Sequence, residues 1–126
     1  DPFVNLSTTF LLHALISPGQ VSPLDILSLH TTRAARALHL EAGSIAPGQL
    51  ADLVLLRDRS PAPLSPENVI SHLVLGVTGG DVSHVIVDGQ VIVAEGQVCT
   101  VDEKAAKDQA METISRLWEN ARRLRG

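Results

Sequence analysis

The sequence predicts one mixed α/β domain in which helices and short strands follow one another in an irregular order. Three observations support this class: two apolar stretches of helical length near the start, two β-branched runs joined by an Asp-Gly pair, and an amphipathic stretch at the end. The 126 residues, 44% of them hydrophobic, suffice for one domain with a buried core. The predicted order is helix, helix, strand, loop, helix, hairpin, helix, with about four strands.

The first third of the chain predicts two helices. Residues 6–16 form an apolar stretch that is stopped by Ser17-Pro18-Gly19. Ser22 is placed to cap a second helix, with Pro23 in its first turn and Asp25 completing a capping box. We expect this helix to run to about Leu38 with one apolar stripe. The stripe comprises Leu24, Leu27, Ala34, Ala35 and Leu38.

The middle of the chain predicts a strand, a loop and a short helix. Residues 51–56 form a continuous apolar run of strand length, which favours a strand buried on both faces. Residues 57–66 contain three prolines and indicate an exposed loop. Residues 69–77 are predicted to be helical and to end before Gly79-Gly80.

A β-hairpin is the clearest local signal. Residues 84–87 and 90–93 are β-branched runs, and Asp88-Gly89 between them is typical of a type I′ turn. Glu95-Gly96 predicts a second turn before a short strand at residues 98–100.

The end of the chain predicts one long helix. Residues 100–103, Thr-Val-Asp-Glu, are expected to form a capping box at its start. Its apolar face comprises Val101, Ala110, Ile114, Leu117, Trp118 and Ala121, and its last turn contains Arg122, Arg123 and Arg125. We expect Trp118 to be a core or docking anchor.

Composition narrows the classes of function. The net charge is −4 and no basic block is present, so nucleic acid is not an expected partner. No apolar run reaches the roughly 20 residues that span a bilayer. The start Asp1-Pro2-Phe3 has no signal-peptide pattern and Cys99 is the single cysteine, so a cytoplasmic location is expected. Because Met111 is the sole methionine, the start resembles the middle of a longer polypeptide.

Three blocks of sequence resemble one family, the amidohydrolase superfamily. Residues 29–40 contain Ala-Arg-Ala-Leu and are similar to a helix of that family. Residues 43–56 combine Gly-Ser-Ile, Pro-Gly and Ala-Asp-Leu-Val, which is similar to its most specific C-terminal signature. Residues 85–93, followed by Glu95-Gly96, resemble its closing hairpin.

The resemblance implies the C-terminal portion of a TIM-barrel enzyme. Residues 1–42 would be the terminal barrel helices. Residues 43–100 would be a share of a small β-sandwich, with a short helix inserted at about 66–77. Residues 101–126 would be the closing C-terminal helix. The partner strands of the sandwich would come from the N-terminal end of the parent protein.

The resemblance also implies a chemistry for the parent protein. The family hydrolyses C–N bonds with one or two divalent metals, zinc or iron, which lower the pKa of bound water. The family's His-x-His pair, its two middle histidines and its late Asp are not recognisable in this chain, so no catalytic, metal-ligating or cofactor-binding residue is assigned. The chain alone is therefore expected to bind no metal and to be inactive.

The substrate suggested by the resemblance is a small molecule, a heterocyclic base or related ring that loses an amino group. The start Asp1-Pro2-Phe3 with Leu6 resembles cytosine deaminase-like members. Gly80-Asp81-Val82 and the tail from Thr100 look more like adenosine-derivative deaminases and triazine hydrolases. These two signals disagree, and the substrate stays open at this point.

Several side chains are candidates for a site and each also has a structural explanation. The five histidines, His13, His30, His39, His72 and His84, lack ligand-like spacing and are interpreted as surface or hydrogen-bonded side chains. Asp1 falls a few residues after the family's late metal-ligating Asp. Asp52 is interpreted as a structural carboxylate that accepts backbone hydrogen bonds where the strand begins. Cys99 is expected to be buried or partly buried.

Two alternatives remain open from the sequence. The chain could be a stand-alone interaction module that kept the sandwich and lost the barrel. Such a module would associate through exposed strand edges, as a homo-oligomer. The parent could also belong to the hydantoinase-like or imidazolone-hydrolase branch of the superfamily.

Overall fold

The computed structural model describes residues 1–124 and confirms a mixed α/β fold with a four-stranded antiparallel sheet. In this part of the chain the helices are α1 (Pro2–Ile16), α2 (Pro23–His30), α3 (Thr32–Ala37), α4 (Val69–Leu75) and α5 (Glu103–Arg123). The strands are β1 (Leu53–Leu56), β2 (Val82–Val87), β3 (Gln90–Ala94) and β4 (Gln97–Val98). A one-turn 3-10 helix covers Gly79–Asp81. None of the helices in residues 1–124 has the length and apolar character needed to cross a membrane.

Helix α1 begins four residues earlier than predicted. Its N-cap is Asp1, whose carboxylate accepts a hydrogen bond from the Phe3 N–H, and Pro2 occupies the first helical position. Proline suits that position because its missing N–H would have no partner inside the helix. The first turn, residues 2–5, thus belongs to the helix, and its Phe3 packs against the core.

The second helix has the predicted capping box but is not continuous. Ser22 and Asp25 exchange the expected hydrogen bonds. The helix then breaks at Thr31, whose φ of −127° and ψ of −100° are not helical, so the prediction of one helix to Leu38 was wrong. The Thr31 hydroxyl donates to the Leu27 carbonyl at 2.9 Å, and such back-bonding bends helices.

The helices enclose a small core. Ile26 of α2 and Val74 of α4 are fully buried, and Leu6 of α1 packs with them. The partly buried side chains around this cluster are Phe3, Phe10, Val21 and Leu27. The predicted stripe was therefore only partly right, because Leu24 and Leu38 are exposed while Ile26 and Ala35 are buried. Because the helix breaks at Thr31, α2 and α3 do not share one continuous apolar stripe.

The sheet has the strand order β1-β2-β3-β4, so each strand pairs with its neighbour in sequence. The predicted hairpin is present: Asp88 and Gly89 have φ values of +50° and +76°, as a type I′ turn requires. Glu95 and Gly96, with φ of +51° and +77°, repeat this geometry. β4 lies one residue earlier than predicted and is only two residues long.

Strand β1 is not buried on both faces, which corrects the prediction from its apolar run. It begins at Leu53, and Val54 and Leu55 are 54% and 44% exposed. β1 lies at the edge of the sheet and pairs only with β2. Leu53 and Leu56 are only half-buried, so continuous hydrophobicity did not indicate full burial within residues 1–124.

Helix α5 is long and has no buried residue. Asp102 is its N-cap and accepts a hydrogen bond from the Ala105 N–H, so the predicted capping box from Thr100 was wrong. The Glu103 carboxylate instead accepts from the Val98 N–H. Trp118 is 63% exposed, which excludes a core position for it among residues 1–124. Of the predicted C-terminal arginines, Arg125 lies outside the described residues.

Candidate functional site

A chain of hydrogen bonds connects the start of α1 to the far turn of the sheet, and we call it the junction. Its members are Asp1, Gly79, Asp81, Arg57 and Glu95. Asp1 uses both carboxylate oxygens: Oδ1 accepts from the Phe3 N–H at 2.8 Å and Oδ2 accepts from the Gly79 N–H at 2.9 Å. The second bond joins positions 78 residues apart.

Gly79 allows this close approach because it has no side chain. A β-carbon added at Gly79 would lie 3.1 Å from Asp1 Oδ2, which is tighter than ordinary van der Waals contact. The backbone N–H of Gly79 is therefore positioned to donate to the carboxylate of the first residue of the chain.

Asp81 holds the turn in which Gly79 lies. Its Oδ2 accepts hydrogen bonds from the Thr78 N–H at 2.9 Å and the Thr78 hydroxyl at 3.0 Å. These bonds lower the pKa of Asp81, with smaller contributions from the charges of Arg59 and His72, while burial opposes the shift. The Arg59 Nε lies 3.5 Å from Asp81 Oδ1. Asp81 therefore stays ionised and fixes the turn.

Arg57 carries the junction into the sheet. Its backbone N–H donates to the Asp81 carbonyl at 2.8 Å, and its guanidinium donates to Glu95 Oε2 at 2.7 Å. The Arg57 hydrogen bond is the largest cause of a lowered pKa at Glu95. His84 Nε2 lies 3.8 Å from the other Glu95 oxygen. The end of β1 is thereby connected to both the Asp81 turn and the turn after β3.

The histidines do not come together as a metal centre. Nδ1 of His30 lies 3.2 Å from the Ile26 carbonyl oxygen, and Nδ1 of His84 lies 3.2 Å from the Ser83 hydroxyl. His39 follows α3 with a φ of +55°. Across residues 1–124 no group of three His, Cys, Asp or Glu side chains is arranged to hold a metal ion. The residues present therefore do not fit the metal centre that the family resemblance implies.

The remaining candidates take structural or surface positions. Asp52 Oδ1 accepts a hydrogen bond from the Asp88 N–H at 2.8 Å, and the Gly89 N–H donates to the Ala51 carbonyl at 3.1 Å. Asp52 thus ties the hairpin turn to the start of β1, which is the backbone contact expected for it. Cys99 is exposed, so the expectation of a buried or partly buried thiol was wrong. β4 ends one residue before Cys99, whose backbone N–H still donates to the Ile92 carbonyl of β3 at 2.9 Å.

The cavities in the described part of the chain do not form an enclosed substrate pocket. A largely apolar cavity beside the junction, between the end of β1 and α4, measures about 120 Å³. Ligand sites usually measure roughly 300–1,000 Å³. A larger space of about 420 Å³ is an open polar groove near α3, lined by Thr32, Arg36, His39, Leu40, Glu41, Ala42 and Gln49. It lies away from the junction.

The junction was not predicted from the sequence. Asp1 and Asp81 were each noticed as parts of family-like segments, but no local pattern indicates that Asp1 and Gly79 meet. Arg57 and Glu95 are 38 residues apart and lie in a loop and a turn, where polar residues are ordinary. The usable signal was the capping pattern from Thr78 to Asp81, which matches the spacing of a capping box.

Comparison with known proteins identifies the class. The model of the amidohydrolase family matches residues 1–93, which is most of the chain. The chain therefore belongs to the amidohydrolase family. The three blocks that resemble the family, residues 29–40, 43–56 and 85–93, all lie within the matched residues.

Relatives place the chain more narrowly among proteins named for deamination. It is 36% identical over 119 residues to a 5′-deoxyadenosine deaminase of Methanothermobacter thermautotrophicus, covering 93% of this chain and 28% of that protein. It is 34% identical over 101 residues to a 5-methylthioadenosine/S-adenosylhomocysteine deaminase of Pyrococcus furiosus, covering 80% of this chain and 24% of that protein. The chain thus spans about a quarter of the length of these relatives.

Solved structures share the fold. An adenosine deaminase from Xanthomonas campestris with bound zinc superposes with a TM-score of 0.83 at 23% identity, covering 94% of this chain and 28% of that one. Atrazine chlorohydrolase from Arthrobacter aurescens, complexed with zinc, gives a TM-score of 0.73 at 21% identity, covering 87% of this chain and 25% of that one. At these identities the likeness shows the fold alone.

Proposed function

We propose that this chain is the C-terminal part of a hydrolytic deaminase that acts on the adenine ring of a 5′-substituted adenosine. The observation that carries the proposal is the 36% identity across 93% of the chain to a 5′-deoxyadenosine deaminase. In the reaction, water replaces the exocyclic amino group, which leaves as ammonia, and the ring carbon gains an oxo group. The activity belongs to the parent protein, of which the chain supplies about a quarter.

The parent arrangement that we propose places residues 1–42 as the terminal helices of a barrel. Residues 43–100 form part of a β-sandwich and residues 101–126 a closing helix. The exposed faces of β1 and the uncovered apolar face of α5 support this arrangement. Apolar side chains at such positions are stabilised by burial against other elements, at about 25 cal/mol per Å². Strands and helices of the remaining polypeptide are the proposed cover.

The metal of the parent is proposed to be divalent, zinc or iron, and to be held by residues outside this chain. The solved structures of the Xanthomonas campestris and Arthrobacter aurescens enzymes contain zinc, which favours zinc over iron as the metal of the parent. A bound divalent metal would supply hydroxide near neutral pH. Residues 1–124 contain no group of three or more suitable ligands, which supports a positional contribution of this chain.

A second candidate is a stand-alone interaction module that associates through strand edges. The observation that favours it is the unpaired outer edge of β1. The coding sequence just before Asp1 distinguishes the two. A start codon there with a stop codon upstream supports the module, whereas an upstream frame that encodes His-x-His in a strand supports the deaminase. The relatives favour the adenosine branch over a hydantoinase-like or imidazolone-hydrolase branch.

The experiment is a deamination assay on the full-length parent protein. We expect ammonia release from 5′-deoxyadenosine and 5-methylthioadenosine, and no release by the 126-residue chain under the same conditions. Cytosine, a hydantoin and a triazine serve as comparison substrates. Turnover of a cyclic amide without turnover of any adenosine would contradict the proposed substrate class.

A further inference from the structure

The Asp1 carboxylate is the one member of the junction that lies on the first helix. It caps α1 through the Phe3 N–H, and this bond is local. Its other oxygen reaches the Gly79 N–H, which belongs to the turn in front of β2. One side chain therefore fixes the entrance of α1 against the sheet.

The path beyond Gly79 is continuous. Asp81 closes the turn through Thr78, and the Asp81 carbonyl accepts from the Arg57 N–H at the end of β1. Arg57 in turn donates to Glu95 at 2.7 Å. A displacement of Asp1 would therefore be resisted by a path that includes the Arg57 backbone N–H and ends in the sheet at the side-chain pair Arg57–Glu95.

We propose that Asp1 is a positioning residue for the deamination reaction: its bond to Gly79 fixes the polypeptide that enters α1. This inference rests on the proposed function, in which that polypeptide comes from the catalytic part of the parent. The reaction rate is sensitive to the positions of the catalytic groups, because a displacement of about 1 Å can reduce the rate on the order of 100-fold. Asp1 does not touch substrate in this account and acts through the backbone that it holds.

The N-cap carboxylate of α5 provides a matched control. Asp102 caps α5 through the Ala105 N–H at 2.9 Å and has no partner 78 residues away. Both residues perform the same local task, so truncation of either removes one helix cap. Only Asp1 adds a bond between distant elements.

The test compares Asp1→Ala and Asp102→Ala in the full-length protein. We expect Asp1→Ala to lower kcat for 5′-deoxyadenosine by about 10- to 100-fold with KM changed by less than about threefold. Asp102→Ala is expected to leave both constants within about twofold. Asp1→Asn, which keeps one acceptor oxygen, should fall between Asp1→Ala and the unaltered protein.

Gly79→Ala breaks the same bond from the other side. The added methyl group would press on Asp1 Oδ2 while the Phe3 cap stays intact. If Asp1 acts through Gly79, the loss of kcat in the double variant equals that of Asp1→Ala alone. Amide exchange at Gly79 should accelerate in Asp1→Ala and stay unchanged in Asp102→Ala.

The outcomes separate the two proposals. If the unaltered full-length protein does not deaminate an adenosine, the proposed function fails and the positioning role fails with it. If the unaltered protein is active and Asp1→Ala matches Asp102→Ala in kcat and in Gly79 exchange, only the positioning role is overturned. Additive losses for Asp1→Ala and Gly79→Ala would also overturn it.

Discussion

Individual carboxylates hold the turns of this chain in place. Asp1, Asp52 and Asp81 each accept a hydrogen bond from a backbone N–H, and Glu95 accepts from Arg57. An ionised carboxylate is a strong acceptor for such donors, because the charge shortens and strengthens the bond. The turns they hold are separated along the sequence, so these few charged groups connect distant parts of the chain.

Asp81 makes stability depend on pH in the acid range. Its pKa is lowered below the unfolded value of 3.8, mainly by the hydrogen bonds from Thr78. Its contribution is present above the unfolded pKa and is lost as pH falls through the folded one. We therefore expect the gap in urea midpoint between the unaltered chain and Asp81→Asn to be full at about pH 6 and to narrow below about pH 4.

The control for this prediction is Asp58→Asn. Asp58 is an exposed carboxylate in the same loop as Arg59 and accepts only from the Ser60 N–H among the hydrogen bonds described. The gap in urea midpoint between the unaltered chain and Asp58→Asn should therefore stay the same from about pH 6 to below about pH 4. A gap for Asp81→Asn that stays constant from neutral to acid pH would contradict the assignment.

Elements formed by local rules were predictable, and those shaped by packing were not. The Ser22–Asp25 capping box and the Asp88-Gly89 turn follow from residues three and one position apart. The break at Thr31 depends on a side-chain bond to Leu27 that competes with the helix. The exposure of Val54 and Leu55 depends on which elements lie beside β1, and spacing carries no information about that.

A pair of glycines tests the contact between the α2–α3 break and the following loop. Gly43 and Gly48 have nearly the same φ, +85° and +87°, but a β-carbon at Gly43 would lie 2.7 Å from the Thr31 backbone, while none of the described atoms would be within 4 Å of one at Gly48. Gly48→Ala should cost about 1–2 kcal/mol of unfolding free energy. Gly43→Ala should cost about 1–3 kcal/mol more, measured by urea unfolding.

Equal costs for the two glycine substitutions would show that Gly43 does not pack against Thr31. The comparison isolates the close approach, because the conformational penalty of a positive φ is common to both. It also tests whether the helical break is held from outside by the loop that contains Gly43.

At the scale of the whole molecule, residues 1–124 expose apolar side chains on several elements, including the end of α1, and two of these surfaces belong to the proposed arrangement. One is β1 with its unpaired edge, and the other is the face of α5 that contains Met111, Ile114, Leu117 and Trp118. Large exposed apolar surfaces mark places where another chain or domain binds. The sequence predicted about four strands, which are few for an independent sheet, and the family resemblance implied partner strands from the parent protein.

The α5 face is expected to drive self-association of the 126-residue chain when no other polypeptide covers it. Leu117→Glu with Trp118→Glu should lower the molar mass measured by light scattering after size exclusion, because two charges would face the apolar contact. Gln109→Glu on the opposite side of α5 adds the same kind of charge and should leave the mass unchanged. A monomeric unaltered chain, or equal masses for all variants, would contradict this expectation.

In the proposed function, the chain shapes a hydrolytic deaminase without holding its metal. The most direct measurement is the zinc content and the deamination rate of the purified 126-residue chain, set beside those of the full-length protein. We predict no retained zinc and no release of ammonia from 5′-deoxyadenosine for the 126-residue chain, and both for the full-length protein. Near-stoichiometric zinc together with deamination by the 126-residue chain alone would contradict it.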